Sequence, residues 1–129
     1  MFGSNRLGAA LNVTGVTSLL GTYTNGLGGK ALIPGTLIPD DCTATESVNF
    51  YMTSPYDPRL GYGDYGYTIP CRAKLEHVSR TIAAAVVTAL NELVIDTGMI
   101  YVSGVNQTLP PLDEADVYNT PLTVILKSR

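Results

Sequence analysis

Residues 65–97 read YGYTIPCRAKLEHVSRTIAAAVVTALNELVIDT, and this stretch decides the fold. Residues 65–73 alternate, so one face of a strand carries Tyr65, Tyr67, Ile69, Cys71 and Ala73, and the other carries Gly66, Thr68, Pro70 and Arg72. In residues 75–97 apolar side chains recur at steps of three and four, at Val78, Ile82, Val86, Ala89, Leu90 and Leu93. The pattern predicts a half-buried strand that leads into a long amphipathic helix.

Two residues near this unit constrain its pairing and its end. Pro70 lacks a backbone donor, so the strand lies at an edge or the missing N–H points away from a partner strand. In both cases we expect incomplete pairing. Gly98 follows the predicted helix at the position where a left-handed glycine commonly ends one.

The rest of the chain predicts shorter elements. Residues 7–20 favour a short helix pair or one broken helix, and strands are expected at 31–33, 46–53, 99–102 and 122–127. Two long loops, 54–64 and 103–116, separate them. We therefore predict an α+β fold with a mainly antiparallel sheet, one long amphipathic helix packed across it and a short N-terminal helix, in a single domain, residues 1–129.

The composition argues for contacts with proteins. Only 15% of the residues are charged, and 8 basic against 11 acidic residues give a net charge of −3. Nucleic-acid binding needs clustered Lys and Arg, which this chain lacks, whereas a surface poor in charge suits contact with other subunits. No secretory signal is evident, and no apolar run approaches the roughly 20 residues of a membrane span, so we expect a soluble protein made in a cytoplasm.

Candidate catalytic and cofactor motifs are weak. NGLGGKA at residues 25–31 lacks the first Gly and the final Ser or Thr of a phosphate-binding loop, which leaves an ordinary turn. His77, the only histidine, has no nucleophile or orienting partner in any sequence signature, so a solvated helix residue is expected. We predict that the protein is not an enzyme and has no cofactor.

Metal binding is also weakly indicated. Cys42 and Cys71 form no CxxC pair and lack a His cluster, which argues against zinc; a disulfide and two small buried thiols remain open alternatives. The loop acids do not follow the EF-hand spacing, and they are Asp57, Asp64, Asp113, Glu114 and Asp116. No metal site is therefore predicted.

The chain has 8 tyrosines and no tryptophan, and four of the tyrosines lie at positions 56–67, in or beside the first long loop. Tyrosine combines apolar area with a polar tip and is enriched at protein interfaces. The loop therefore either contacts another subunit or folds back and packs its own rings.

The order of elements over residues 7–126 resembles the small tail-terminator or tail-completion proteins of long-tailed bacteriophages. The resemblance rests on a short helix ending at the glycine of 16–21, on ALIPG at 31–35, IPDD at 38–41 and SVNFY at 47–51, and on IPCRA at 69–73 leading to the alanine-rich helix at 82–93. Residues 54–64 are longer than the common pattern.

The resemblance implies a structural virion protein. It would form a homo-oligomeric ring, expected to be a hexamer, at the head-proximal end of the tail tube, end tube polymerisation and join the tail to the neck. Its partners would be the tail tube protein and a neck or connector protein, with DNA only as passing cargo and no membrane. Its location would be the tail or neck of the virion, after assembly in the host bacterial cytoplasm.

Two segments are the predicted contacts in such a ring. Tyr56, Arg59, Leu60, Tyr62 and Tyr65 are expected to touch a neighbouring subunit or the tail tube, and Leu112, Asp113 and Asp116 to form a second contact. The alternatives are another neck component, such as a head-completion or stopper protein, and a small ligand-binding domain or enzyme that uses His77 or the loop acids.

Overall fold

The computed structural model describes residues 2–54, 63–95, 98–105, 107–111 and 117–128. The helices are α1 (Phe2–Leu11), α2 (Thr14–Thr17) and α3 (Glu76–Leu90), with a single 3-10 turn at Leu27–Gly29. The strands are β1 (Leu32–Pro34), β2 (Ser47–Ser54), β3 (Gly63–Ala73), β4 (Leu93–Ile95), β5 (Gly98–Val105) and β6 (Tyr118–Ser128). They form one sheet in the order β1-β2-β3-β6-β5-β4, in which only β1 and β2 pair in parallel. The predicted α+β fold is confirmed.

Helix α3 lies across the middle of the sheet, against β3, β5 and β6, and α1 extends the helical layer over β1 and β2. The apolar stripe of α3 buries Ile82, Val86 and Leu90, and each such side chain stabilises the fold by about 1.5–3 kcal/mol. Beneath them the strands contribute buried side chains, among them Val48, Phe50, Tyr67, Ile69, Cys71, Ile100, Leu122, Val124 and Leu126. The predicted strand-to-helix unit therefore forms the centre of the core.

Helix α3 ends earlier than predicted. It stops at Leu90, and Leu93 belongs to β4, so the helix over residues 75–97 is wrong in its last turns. Glu92 takes the left-handed conformation at φ 60°, where Gly98 was expected to end the helix, and Gly98 instead begins β5. The physical reason is pairing: Leu93 lies opposite Ile100, so the apolar residues after Glu92 are placed in the sheet by a short antiparallel pair.

The predicted consequence of Pro70 is confirmed, although β3 lies between β2 and β6 and is not an edge strand. Val48 donates its N–H to the Ala31 carbonyl on the β1 side at 2.9 Å, so the next residue, Asn49, directs its backbone at β3. The β2–β3 ladder has no recorded pair between Asn49 and Pro70, whereas the β3–β6 ladder runs unbroken through Pro70 and Pro121. The missing donor therefore faces β2 and points away from β6.

The two cysteines are free thiols. Cys71 is buried beneath α3, and this burial raises the pKa of its thiol to about 12, while Cys42 is only half-buried. Of the two alternatives for the pair, the structure has the unlinked thiols. No helix within the described residues combines the length and the apolar character that a bilayer crossing requires.

Candidate interaction surface

The sheet has two unlike faces. The covered face lies under the helices, and the open face is the opposite one. Because partners in a ladder share a face, the register of the strands assigns the open face. Its residues are Ser47, Asn49 and Tyr51 on β2, Asp64, Gly66, Thr68, Pro70 and Arg72 on β3, Asn119, Pro121, Thr123, Ile125 and Lys127 on β6, Met99, Tyr101 and Gly104 on β5, and Val94 on β4. None of the described helices packs on it, although Asn49 and Pro70 are buried, so that part of the open face is covered by other segments of the chain.

The open face is poor in charge. Arg72, Lys127 and Asp64, which pairs with Lys127 in the ladder, are the charged residues among those just named, and the rest are apolar or neutral polar. Lys127 places its Nζ 5.7 Å from the centre of the Tyr101 ring, which satisfies part of its charge by a cation–π contact. Val94 is 69% exposed although it is a strand residue with an apolar side chain. Such a surface can associate with a second protein without desolvating many charges.

One corner of the open face holds a fixed arginine. Arg72 donates from its guanidinium to Oδ1 of Asn49, which is fully buried, and Asn49 Nδ2 donates to the carbonyl of Gly35 at 2.9 Å. Partial burial lowers the pKa of Arg72, because desolvation disfavours its charged form. The neutral amide orients the guanidinium but supplies no compensating charge.

A pocket of about 360 Å³ lies beside Arg72. Its walls come from the connection between β1 and β2 and from the starts of β2 and β6, with Ile38, Cys42, Thr43, Ala44, Thr45, Ser47, Arg72 and Val117. Next to Arg72 in the ladder, Asn119 has a buried Oδ1 with no hydrogen-bond partner among the described residues. The corner thus combines an arginine with open donor capacity and space for a small polar group.

A second concavity lies between α3 and the segment that follows β5. It has a volume of about 610 Å³ and is mostly apolar, with walls that include Ala83, Val87 and Val105. Thr120 also lines it, and Thr120 Oγ1 lies 2.8 Å from Ser79 Oγ, which donates to the Cys71 carbonyl at 2.7 Å. This buried bond joins α3 to both central strands, so the polar group is satisfied inside the fold.

The predicted contact residues fall mostly outside the described part of the chain. This holds for Tyr56, Arg59, Leu60, Tyr62, Leu112, Asp113 and Asp116, whereas Tyr65 lies in β3 opposite Leu126. The described residues that flank the two segments are separated, because Gly63 pairs with Ser128 at one end of the sheet and Ala73 with Tyr118 at the other. With 11 residues in β3 and about 3.3 Å per residue, those ends lie roughly 33 Å apart.

The weak motifs have structural roles or none. Residues 25–31 form a turn in which Gly28 and Gly29 take positive φ values of 65° and 72°, and Thr22 bridges to Lys30 across it. The ordinary turn is confirmed. His77 is exposed in the first turn of α3, as expected of a solvated residue. Within the described ranges, His, Cys, Asp and Glu form no group of three that could hold a metal.

Sequence reasoning did not identify the open face as a site. The alternation in β3 does indicate this face, through Gly66, Thr68, Pro70 and Arg72. These residues served only to define the opposite, apolar face. The partner of Arg72 could not be found from sequence, because Asn49 lies 23 residues away in the chain.

Comparison with known proteins gives a structural likeness and no sequence family. No protein-family model matches the chain, and a search of curated proteins finds no match. A chain of the solved structure titled "Virion of native gene transfer agent (GTA) particle" superposes with a TM-score of 0.60 at 16% sequence identity, over 99% of this chain and 98% of that one. The two chains share the fold over nearly their whole lengths.

Proposed function

We propose that this chain is a structural virion protein that forms a ring at the head-proximal end of a phage tail tube, ends tube polymerisation and joins the tail to the neck. The observation that carries the proposal is the open face, which the chain's own described helices leave uncovered. A likeness to a chain from a virion particle, along the full length, supports a role in such an assembly.

The size of the open face suits a subunit contact. Its four longer strands contain 8, 11, 11 and 8 residues. At about 4.8 Å between strands and about 3.3 Å per residue, these four strands present roughly 600 Å². A specific protein interface buries about 800 Å² on each partner, so the open face supplies part of such a contact and neighbouring segments must supply the rest. Its neutral surface lowers the cost of removing water.

The separation of the described residues that flank the two predicted contact segments suits a closed ring between two partners. A head-to-tail ring uses two different patches of each subunit, and a ring at a tube end also needs one surface toward the tube and another toward the neck. The residues that flank the two segments stand at opposite ends of β3. Six copies and the pairing of each segment with tube or neck are part of the proposal.

The proposed protein acts by assembly and without catalysis. His77 is exposed on α3, and the buried serine and threonine hydroxyls near α3 bond to the fold itself. A net charge of −3 suits a channel that DNA crosses, because like charges disfavour adhesion of the passing phosphates.

The test is tail length in particles produced without this protein. Loss of a terminator should give overlong tails in negative-stain electron micrographs. Supplying the protein again while the tails assemble should restore normal length. Normal free tails together with defective heads would instead identify a head-completion or stopper protein. Normal particles in every respect would overturn both assignments.

A further inference from the structure

The charge of Arg72 has no anionic partner in the described part of the chain. Its recorded hydrogen bond goes to the neutral Oδ1 of Asn49, although a guanidinium carries five N–H donors. Arg72 is half-buried, and an arginine charge removed from water is normally compensated by an anion. Arg72 lines the pocket of about 360 Å³, so its remaining N–H groups can donate to an anion bound there.

Two described acids from the segment that lines this pocket, Asp41 and Glu46, already have hydrogen-bond partners. Asp41 accepts from the Tyr23 hydroxyl at 2.7 Å and from Asn25 Nδ2 at 3.4 Å, and the bond from Tyr23 raises the pKa of that tyrosine. Glu46 accepts from Thr45 Oγ1 at 2.5 Å. Neither carboxylate forms an ion pair with Arg72 among the described residues. The rest of the pocket wall is neutral, with hydroxyls from Thr43 and Ser47.

We propose that the Arg72 pocket binds the carboxylate of an Asp or Glu side chain presented by a second copy of this chain. A planar guanidinium, held in place by Asn49, can receive both oxygens of a carboxylate in two parallel hydrogen bonds. The inference rests on the proposed ring, since it assigns part of the contact between neighbouring copies.

A second copy is the favoured source because of charge and position. The chain contains 11 acidic and 8 basic residues, so an identical neighbour brings carboxylates in excess. The pocket borders the open face, so a copy that docks there would bury the ion pair and exclude water from it. A buried and oriented pair fixes the register of two subunits, because a misplaced neighbour leaves the arginine charge unpaired.

The first experiment measures self-association of the whole chain by sedimentation velocity at about 0.15 M NaCl. We expect Arg72→Gln to raise the dissociation constant at least about 10-fold, and Arg72→Lys to raise it less, because the charge remains without the bidentate geometry. Arg80→Gln is the matched control: it makes the same substitution at an exposed arginine of α3, away from the open face, and should change the constant by less than about threefold. Circular dichroism melting of each variant checks that the monomer folds.

The second experiment identifies the source of the carboxylate. Isotope-labelled and unlabelled copies of Arg72→Lys are mixed and treated with a carbodiimide, which joins an amine to a contacting carboxylate as an amide and takes up the water that is lost. We expect cross-linked peptides that join residue 72 of a labelled chain to an Asp or Glu of an unlabelled chain, or the reverse. Cross-links confined to one chain would assign the pocket to the protein's own acids and overturn the proposal.

Other outcomes separate this inference from the ring itself. Self-association of Arg72→Gln equal to that of the wild type would overturn the pocket, while overlong tails in the deletion particle would still support the terminator role. A wild-type protein that stays monomeric at every concentration would also overturn the second copy as occupant. That monomer would then be titrated with sodium acetate and followed by NMR at the Arg72 side chain. Saturable binding would replace the second copy with a free carboxylate as the occupant of the pocket.

Discussion

The two faces of the sheet differ in what completes them, although the same strands supply both. On β3, Tyr67, Ile69 and Cys71 lie fully buried under the helices, whereas Thr68 and Arg72, between and beside them, lie on the open face, where Arg72 is half-buried. The covered face is finished by helices of the same chain. The open face is too polar to drive folding and too poor in charge to favour water strongly, so it suits contact with another protein. Alternation in one strand thus divides folding from assembly.

The largest expected difference between the two faces comes from truncating two neighbouring side chains of β6, one on each face. Leu122→Ala removes a fully buried side chain from the covered face and should lower the free energy of unfolding by about 2–5 kcal/mol. Thr123→Ala, on the open face, should change it by less than about 1 kcal/mol. Urea denaturation of the dissociated protein measures both, and equal losses would show that the open face also holds the fold.

The bond between the helix and the covered face can be tested at Ser79. Ser79→Ala removes the donor to the Cys71 carbonyl and the contact with Thr120, and should cost about 1–3 kcal/mol of unfolding free energy because buried polar atoms lose a partner. Thr81→Ala is the control, since its exposed hydroxyl donates to the His77 carbonyl within α3, and its effect should stay within about 0.5 kcal/mol. A neutral Ser79→Ala would mean that apolar packing alone holds α3.

The protonation of Cys71 gives the covered face a pH dependence. Burial raises the pKa of its thiol from an ordinary value of 9.0 to about 12 in the folded protein. The protonated Cys71 thiol therefore makes its full contribution to the free energy of unfolding below about pH 9. This contribution is lost as the pH rises toward 12, because the thiol of the unfolded chain loses its proton at lower pH than that of the folded protein. Between about pH 8 and about pH 10 the contribution should fall by about 1.4 kcal/mol.

Denaturant titrations at these two pH values measure the change for the wild type and for two variants. Cys71→Ala should lose about 1.4 kcal/mol less than the wild type over the interval, and Cys42→Ala should behave like the wild type. Parallel curves for all three proteins would contradict the burial of the Cys71 thiol.

The joint between α3 and the sheet offers the smallest expected effect. Glu92 holds a positive φ of 60°, where a side chain is strained, so Glu92→Gly should stabilise the protein by about 0.5–1 kcal/mol. Glu92→Ala removes the same carboxylate without relieving the strain and should not stabilise. Differential scanning calorimetry compares the two, and a gain in both variants would assign the effect to charge.

The local sequence pattern was sufficient to predict the helices and strands, but not the contacts between residues that are distant in the chain. The strand at residues 65–73 and the apolar stripe of α3 are both present as predicted, because each is a property of neighbouring residues, but the strand is more than half-buried, since Gly66 and Pro70 on its other face are buried as well. The end of α3 could not be foreseen, since it depends on Leu93 meeting Ile100 in the sheet. The Arg72 corner required residues from three separate segments, Gly35, Asn49 and Arg72, to come together.

The facing prolines of β3 and β6 also guard the alignment of the two central strands. In the observed pairing Pro70 and Pro121 sit opposite each other, and the Pro70 ring lies on the open face. Sliding β3 by a single residue would turn that ring into the helical layer and would aim a nitrogen without hydrogen at a β6 carbonyl. Two residues that weaken a ladder elsewhere therefore make the neighbouring misalignment costly here, and keep each side chain of β3 on its proper side.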